Sequence, residues 1–399
     1  MYTMYCRSYQ NIMKVASYAL PWREPKLLEG ENSLSKLPKI INEQKIESVL
    51  VITDKDIVAI GLMDGFLKGL EDEGIKFVVY DKTVPNTPIE NVEEAVKFYK
   101  EHNCQGIVAF GGGSSIDCAK IAGARIVRPN KSVPQMKGVL KIVKKLPPLF
   151  AVPTTSGTGA EATLAAVCSD TNTFEKYPLM DTSLIPQYAV LDPSLTVKLP
   201  PHLTAATGMD ALTHAIEAYI GRSNTKMTKQ WSLEATKIIF ENLYKVYKNG
   251  TNITARKKMQ KAAYLAGMAF TRAYVGYVHA IAHTLGGFYN VPHGLANAII
   301  LPYVLDYYGS TVHEPLAELA DVIKISNETD SSEQKAQKFI QAIRDLNEKM
   351  EIPNKVNGII DRDIPLMVQR ALEESNPLYP VPKILFKEDI SELFQKIKG

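Results

Sequence analysis

The sequence has 399 residues, of which 45% are hydrophobic and 22% charged, and a formal net charge of +3. This length exceeds what one ordinary core fills, so we expect two domains. The small net charge gives no sign of a nucleic-acid-binding surface. No apolar run reaches the roughly 18–20 residues that a membrane-spanning helix requires. We therefore expect neither a nucleic acid nor a membrane as a partner.

The cysteines and the N-terminal segment bear on the cellular location. The four cysteines include no C-x-x-C pair, and the chain is too long for a small disulfide-stabilised scaffold. Free thiols in a reducing cytoplasm are the simpler interpretation. Residues 1–12 lack the apolar stretch of a secretory signal, and they would be a dispensable extension if Met13 were the start.

The first half of the sequence alternates strand-like and helix-like patterns. Apolar, β-branched runs predict strands at 48–53, 76–80 and 106–110, with shorter ones at 147–153 and 190–191. The pattern between the second and third of these strands predicts a helix over 89–101. Such alternation is typical of a parallel, doubly wound sheet.

The character of the sequence changes near Pro200 and Pro201, a pair that continues neither a helix nor a strand ladder. Beyond it, strand-like runs become scarce. Helical patterns are predicted at 204–220, 228–247, 252–275 and 332–348. We therefore assign residues 1–200 to an α/β domain and residues 201–399 to an all-helical domain.

A glycine-rich segment, GGGSSIDCAK, occupies residues 111–120 directly after the third predicted strand. Three glycines let the backbone approach a ligand closely, and Ser114 and Ser115 are suited to cap the helix that follows. Exposed N–H groups at a helix N-terminus favour a pyrophosphate. The spacing differs from the G-x-G-x-x-G fingerprint. We favour phosphate binding over a purely structural turn.

Two further features lie close to predicted strands of the same domain. Residues 153–161, PTTSGTGAE, carry the hydroxyls of Thr154, Thr155 and Thr158, which suit a ribose or phosphate equally with a helix cap. Asp54 follows the first predicted strand, where ligands of open α/β sheets bind. Its carboxylate suits either an adenosine ribose or an ordinary turn.

Histidines concentrate in two apolar helical segments of the second half. Asp210 and His214 are spaced i, i+4, as are His279 and His283, and His293 follows after a glycine-containing turn. Buried imidazoles need polar partners, and one metal ion satisfies several of them at once. Three imidazoles and one carboxylate suit Zn²⁺ or Fe²⁺. The set predicts a metal site, whereas each histidine alone would suggest a hydrogen-bonded core residue.

These segments together resemble the iron-containing (group III) alcohol dehydrogenase family. The resemblance runs from about residue 20 to residue 385 and is carried by GGGSSIDCAK, PTTSGTGAE, LDPSLT, GMDALTHAIEAY and VHAIAHTLGGFYNVPHG. It implies an N-terminal dinucleotide-binding α/β domain with a parallel sheet and an all-helical C-terminal metal-binding domain. It also implies an active site in the cleft between them.

The resemblance further implies roles for individual residues. It makes Asp210, His214, His279 and His293 the metal ligands and His283 a site residue that is not a ligand. Lys176 matches the lysine that reaches the nicotinamide-side ribose, Asp54 an acid that favours NAD over NADP, and Phe270 a wall of the substrate pocket. The cofactor-contacting positions fall on Gly111, Gly112, Gly113, Ser114, Ser115, Thr154, Thr155 and Thr158.

One segment departs from the family's commoner pattern. Residues 270–278 read FTRAYVGYV, where many members have small polar residues and glycines. Arg272 and Tyr274 are bulky enough to narrow the pocket or to bind an anion, unless both point away from it. Substrate size therefore does not carry over from the family.

The expected function is reversible hydride transfer between a primary alcohol or aldehyde and a nicotinamide cofactor, with the alkoxide bound to a divalent metal. NAD with Fe²⁺ is the expected pair, with NADP and Zn²⁺ left open, and a cytoplasmic homodimer is expected from the resemblance. One alternative is another enzyme of the same fold, glycerol-dehydrogenase-like or dehydroquinate-synthase-like. The other is a non-catalytic scaffold that binds a nucleotide or metal.

Overall fold

A computed structural model describes residues 1–399, which divide into two compact units. The α/β unit comprises Pro21–Leu199 and Thr251–Gln260, and the helical unit comprises Met1–Leu20, Pro200–Gly250 and Lys261–Gly399. No helix in either unit combines the length and the apolar character needed to cross a membrane.

Nine strands form two sheets in the α/β unit. In chain order they are β1 (Lys26–Glu29), β2 (Ser48–Ile52), β3 (Lys76–Tyr80), β4 (Gly106–Gly111), β5 (Gly138–Val139), β6 (Leu149–Pro153), β7 (Ala165–Asp170), β8 (Glu175–Met180) and β9 (Tyr188–Leu191). The main sheet has the order β1-β9-β6-β4-β2-β3, and every pair in it is parallel. The second sheet has the order β5-β8-β7, with β7 and β8 antiparallel.

Helices cover both faces of the main sheet. They are α2 (Leu37–Glu43), α3 (Lys55–Ala59), α4 (Asp64–Asp72), α5 (Ile89–Glu101) and α6 (Gly113–Val127). Successive strand residues face opposite sides, so Leu50 packs in the core with α5 and α6 while Val51 packs in the core with α2 and α4. Because both faces are buried, the central strands are apolar throughout. The predicted parallel, doubly wound sheet is confirmed.

The helical unit contains the remaining helices. They are α1 (Tyr2–Ser17), α7 (Pro201–Ile220), α8 (Lys226–Lys248), α9 (Ile253–Ala273, in this unit from residue 261), α10 (Tyr277–Tyr289), α11 (His293–Tyr308), α12 (His313–Val322), α13 (Ser332–Lys349), α14 (Ile364–Ser375) and α15 (Lys387–Ile397). Most residues of α7 and α10 are buried, which explains why these helices are apolar on nearly every side. The predicted all-helical C-terminal region is confirmed.

The first twenty residues belong to the helical unit, whereas the sequence pattern predicts them in the α/β domain. Arg7 donates hydrogen bonds from its guanidinium to the carbonyls of Val381 and Pro382. The buried Gln10 amide donates to the carbonyls of Pro377 and Tyr379. These partners are more than 360 residues away from Arg7 and Gln10 in the sequence, so no local sequence pattern predicts the contacts. Residues 251–260 are likewise part of the α/β unit rather than the helical one.

A close approach of α11 to α7 depends on Gly294. A β-carbon at this position would lie 2.3 Å from the Ala206 carbonyl oxygen and 3.3 Å from Cβ of Asp210. The backbone of α7 cannot move aside as a flexible side chain can. Any residue larger than glycine would therefore push α7 and α11 apart. Glycine at 294 therefore fixes how near the start of α11 comes to Asp210.

We predict that Gly294→Ala lowers the free energy of unfolding by about 1–3 kcal/mol, because the added methyl group overpacks a rigid contact. Urea denaturation followed by circular dichroism measures this change. Gly65→Ala is the control: it lies in α4, where a β-carbon would have no other atom within 4 Å, and it should leave stability equal or slightly higher. Equal stability of both variants would contradict the close contact.

Candidate active site

Three buried or half-buried side chains from α7, α10 and α11 meet in the helical unit. Asp210 Oδ1 lies 3.5 Å from His293 Nε2 and 3.9 Å from His279 Nε2. One ligand atom from each of the three residues lies within 4.8 Å of the others. Two imidazole nitrogens and a carboxylate oxygen at this spacing form a donor set suited to a divalent transition metal.

His214, one turn after Asp210, lies beside these three residues. Its ring centroid is 4.4 Å from that of His279, and its Nδ1 lies 4.0 Å from Asp210 Oδ2. This Nδ1 is buried and makes no hydrogen bond. Burial, with the neighbouring imidazoles, holds the pKa of His214 well below its usual 6.5, so the ring is neutral and able to act as a ligand. We call Asp210, His214, His279 and His293 the Asp–His cluster.

Phe270 of α9 packs against the Asp–His cluster. Its ring stacks on the His214 ring with centroids 4.1 Å apart and planes 13° apart. The nearby Arg272 guanidinium lies over the Trp231 ring, 5.1 Å from its centroid, and within 3.6 Å of Met227 Sδ. Arg272 therefore packs along the surface of α8.

The Glu217 carboxylate fixes the orientation of His279. It is buried on α7, seven residues after Asp210, and accepts from His279 Nδ1 at 2.6 Å. It also accepts from the backbone N–H groups of Gly276 at 2.8 Å and Val278 at 2.9 Å, at the start of α10. Because Nδ1 carries the proton toward Glu217, the Nε2 lone pair is left facing Asp210.

The Asn297 amide sits among the same ligand atoms. Its Nδ2 donates to Asp210 Oδ1 at 2.7 Å and lies 3.3 Å from His279 Nε2 and 3.2 Å from His293 Nε2. The side chain is fully buried. Acceptor atoms from three helices thus converge on one positively polarised group. The same convergence suits a cation, so the donor set fits a metal ion.

His283 lies on α10 one turn after His279, next to the cluster but not in the three-residue ligand group. Its ring is stacked at 5.1 Å from the His293 ring, and its Nδ1 lies 2.8 Å from Glu374 Oε1. The structure thus brings all five sequence-predicted polar residues of this site together. His283 is held by a carboxylate of its own.

In the α/β unit, the predicted cofactor residues lie at the carboxyl ends of three adjacent strands. Asp54 follows β2, residues 111–115 follow β4, and residues 153–158 begin at the end of β6. We call the last two segments the glycine loop and the hydroxyl loop. Parallel strands bring their carboxyl ends to one edge, which is where open α/β sheets bind ligands.

The glycines are packed tightly against these neighbours. Gly111 has φ +153°, and a β-carbon there would meet the Ser115 side chain at 2.6 Å and lie 3.6 Å from Asp54 Oδ2. Residues of the two loops are also in direct contact, because β-carbons at Gly112 and Gly113 would meet the side chains of Thr155 at 3.3 Å and Thr158 at 2.6 Å. The Thr154 N–H donates to the Gly111 carbonyl at 3.0 Å.

Ser114, Ser115 and Lys176 complete the predicted set. The Ser114 carbonyl accepts from the Thr87 hydroxyl at 3.1 Å. Lys176 of β8 donates from Nζ to the side chain of Asn86, the residue before Thr87, at 3.0 Å. The Ser115 hydroxyl lies 3.0 Å from that of Thr83. The loop after β3 therefore links Lys176 to the glycine loop.

Lys120, which was not predicted from the sequence as a site residue, supports the hydroxyl loop. It is fully buried in α6, and its Nζ donates to the carbonyls of Thr163 at 2.7 Å and Ala165 at 2.8 Å and to Thr163 Oγ1 at 2.9 Å. Burial lowers its pKa to about 8, although the neighbouring Asp117 favours the charged form. Its three bonds hold the segment after the hydroxyl loop against α6.

Three further residues of the candidate site were not predicted from the sequence: Glu217, Asn297 and Glu374. Glu217 follows Asp210 by seven residues and Asn297 follows His293 by four, so helical spacing places each on the ligand-bearing face and was a usable signal. Glu374 meets His283 across 91 residues of sequence, and no local pattern points to that pairing.

Two family models together match most of the chain. The model of the iron-containing alcohol dehydrogenase family matches residues 24–193, and the model of the C-terminal region of the Fe-containing alcohol dehydrogenase family matches residues 204–398. The fold and the matching family models define an oxidoreductase that combines an α/β unit with a helical unit. The chain belongs to the iron-containing alcohol dehydrogenase family.

Individual relatives cover nearly the whole chain. Alcohol dehydrogenase 4 of Saccharomyces cerevisiae is 37% identical over 369 residues, which are 92% of this chain and 95% of that protein. The 1,3-propanediol dehydrogenase of Citrobacter freundii is 36% identical over 371 residues, 92% and 95% of the two chains. A crystal structure of 1,3-propanediol oxidoreductase, 34% identical, superposes with a TM-score of 0.89 over 94% of this chain and 99% of the other. The activity of the chain is that of a metal-dependent alcohol dehydrogenase, and NAD and iron fit it.

We predict that Asn297→Ala, in protein prepared with a chelator, lowers the free energy of unfolding by about 1–3 kcal/mol, because the buried Asp210 carboxylate loses a donor at 2.7 Å. Asn242→Ala is a matched control, since that buried amide donates to the Ile238 carbonyl of its own helix and should cost less. Chemical denaturation compares the two. A smaller loss for Asn297→Ala than for Asn242→Ala would show that the contact with Asp210 contributes no stability.

Proposed function

We propose that Asp210, His214, His279 and His293 hold one divalent metal ion, and that the chain uses it for reversible oxidation of primary alcohols with NAD. The observation that carries this proposal is the convergence of ligand atoms from Asp210, His279 and His293 within 4.8 Å. His214 joins them because its buried Nδ1 has no hydrogen-bond partner and lies 4.0 Å from the Asp210 carboxylate.

The bound metal supplies a Lewis acid at the alcohol oxygen, and the nicotinamide ring supplies the hydride acceptor. The chain contributes the geometry. Glu217 keeps the His279 proton on Nδ1 and so keeps Nε2 available as a ligand. Phe270, stacked on His214, restricts the motion of that ring and excludes water from its face. His283, beside His293, carries the proton of the alcohol toward solvent.

For the cofactor, we propose that the glycine loop binds the pyrophosphate through its N–H groups at the start of α6. Thr154, Thr155 and Thr158 of the hydroxyl loop donate to phosphate and ribose oxygens, and Lys176 binds the nicotinamide-side ribose. Asp54 accepts from the adenosine ribose hydroxyls. Its carboxylate repels a 2′-phosphate, and this supports NAD over NADP as the cofactor.

The metal and the substrate class rest on the comparisons. Iron is proposed because the matching family is the iron-containing one, although the same ligand set also accepts zinc. Three relatives at 32–36% identity are named for methanol, 1,3-propanediol and butanol, which are all primary alcohols. Primary alcohols and the corresponding aldehydes are therefore the proposed substrates.

We also propose that the chain acts as a cytoplasmic homodimer. All four cysteines are buried free thiols, which is consistent with a reducing compartment. The dimer is proposed from family resemblance, and sedimentation equilibrium of the purified protein measures it directly.

The metal assignment is tested by His279→Ala. We expect loss of bound metal by elemental analysis and a fall in kcat of at least about 100-fold, because three ligands hold the ion more weakly and leave the alcohol without its Lewis acid. His202→Ala is the matched control, since this histidine is exposed on the same α7 that carries Asp210. It should keep both metal and activity. Full metal content in His279→Ala would exclude the proposed ligand role.

The cofactor assignment is tested by Asp54→Ser. Serine still caps α3, as Asp54 does by accepting from the Ile57 N–H at 2.9 Å, but it carries no charge. We expect the ratio of kcat/KM for NADP to kcat/KM for NAD to rise about 10-fold or more. Asp56→Ser, an exposed neighbour in the first turn of α3, should leave the ratio unchanged. An unchanged ratio in Asp54→Ser would remove Asp54 from the recognition of the ribose.

A further inference from the structure

Glu374 of α14 connects His283 to a buried tyrosine. Its Oε1 lies 2.8 Å and its Oε2 3.1 Å from His283 Nδ1, and the Tyr379 hydroxyl donates to Oε1 at 2.7 Å. The carboxylate side chain is only 12% exposed. A carboxylate only accepts hydrogen bonds, so the His283 proton resides on Nδ1 and Nε2 keeps its lone pair.

Tyr379 is itself held in place by the N-terminal helix. It belongs to the segment 377–382, which we call the C-terminal strap. Gln10 of α1 donates to the Tyr379 carbonyl at 2.7 Å, and Arg7 donates to two further carbonyls of the strap. Tyr379 is 2% exposed, and the Gln10 side chain is also buried. The backbone position of Tyr379 is therefore tied to α1.

Helix α1 lies ahead of the region matched by the family models, which begins at residue 24. It is nevertheless joined to the candidate active site by a continuous series of contacts within the helical unit. The series runs from Gln10 to the strap, from Tyr379 to Glu374, and from Glu374 to His283.

We propose that Glu374 is a positioning residue for alcohol oxidation, holding His283 in one ring orientation and one tautomer, and that α1 supports it through Tyr379. The proposal rests on the proposed function of His283 at the metal site. A ring released from Glu374 is able to flip or exchange tautomers, and only the arrangement with Nε2 facing the cluster side is competent. Loss of the carboxylate therefore acts on kcat more than on cofactor binding.

The test compares kcat in Glu374→Gln, His283→Ala and the double variant, with Glu373→Gln as control. Glu373 is the exposed neighbour of Glu374, with Gln369 as its partner. We expect Glu374→Gln to lower kcat about 10-fold or more, with KM for NAD and metal content unchanged. In the His283→Ala background the same substitution should change kcat by less than about 2-fold, because the positioned ring is gone.

Tyr379→Phe provides a second variant that keeps the buried ring. It removes one donor to Glu374, and we expect kcat to fall about 2–10-fold, the range for one hydrogen bond. Gln10→Ala should lower kcat within the same range. When Gln10→Ala is combined with Glu374→Gln, kcat should be no lower than in Glu374→Gln alone. Asn11→Ala, an exposed amide next to Gln10, should have no effect.

The outcomes separate this proposal from the proposed function. Suppose that His283→Ala lowers kcat. If Glu374→Gln then has no effect on kcat, or lowers it equally in the wild-type chain and in His283→Ala, the positioning role is wrong while the metal-dependent activity stands. If His283→Ala keeps full kcat, both the His283 role and its positioning by Glu374 are wrong. If His279→Ala keeps its metal, the metal site itself is wrong.

Discussion

The candidate metal site depends on one buried carboxylate. Glu217 accepts from His279 Nδ1 and from the N–H groups of Gly276 and Val278, so it satisfies the start of α10 and aims His279 with the same two oxygens. A β-carbon at Gly276 would lie 2.7 Å from Glu217 Oε1, and glycine is what permits this approach. The position of His279, a proposed ligand, is thereby tied to the position of α10.

Helix positions also place the other proposed ligands. Asp210 and His214 are separated by one turn of α7, and His293 is the first residue of α11, which Gly294 brings close to α7. Each proposed ligand therefore lies on a helix whose position is set by backbone packing. A site held in this way preserves the spacing of its ligand atoms, which is what a metal with defined coordination geometry requires.

The glycine loop and the hydroxyl loop, which are proposed to bind the cofactor, are positioned by strand pairing and by close packing at glycines. Parallel pairing of β2, β4 and β6 aligns their carboxyl ends, and the loops that follow are packed by glycines against threonine side chains. Lys120 adds a buried cation whose three hydrogen bonds hold the chain beyond the hydroxyl loop. Rigid loops at a helix N-terminus are suited to the recognition of phosphate oxygens, because the N–H groups are oriented before binding.

The sequence by itself determined what depends on local periodicity. The apolar runs identified β2, β3, β4, β6 and β9, and helical spacing placed Asp210 with His214 and His279 with His283 on common faces. It also located the change from an α/β to a helical region near Pro200. Each of these features is encoded within a few consecutive residues, where hydrophobic burial and helix geometry act directly.

Only the tertiary structure decided which distant groups meet. The position of α1 on the helical unit depends on carbonyls more than 360 residues away, and the partner of His283 proved to be Glu374, across 91 residues. Asn297 shares its helix with His293, but its contact with Asp210 exists only because α11 packs on α7. Such contacts are set by the packing of whole helices, which a short sequence window does not contain.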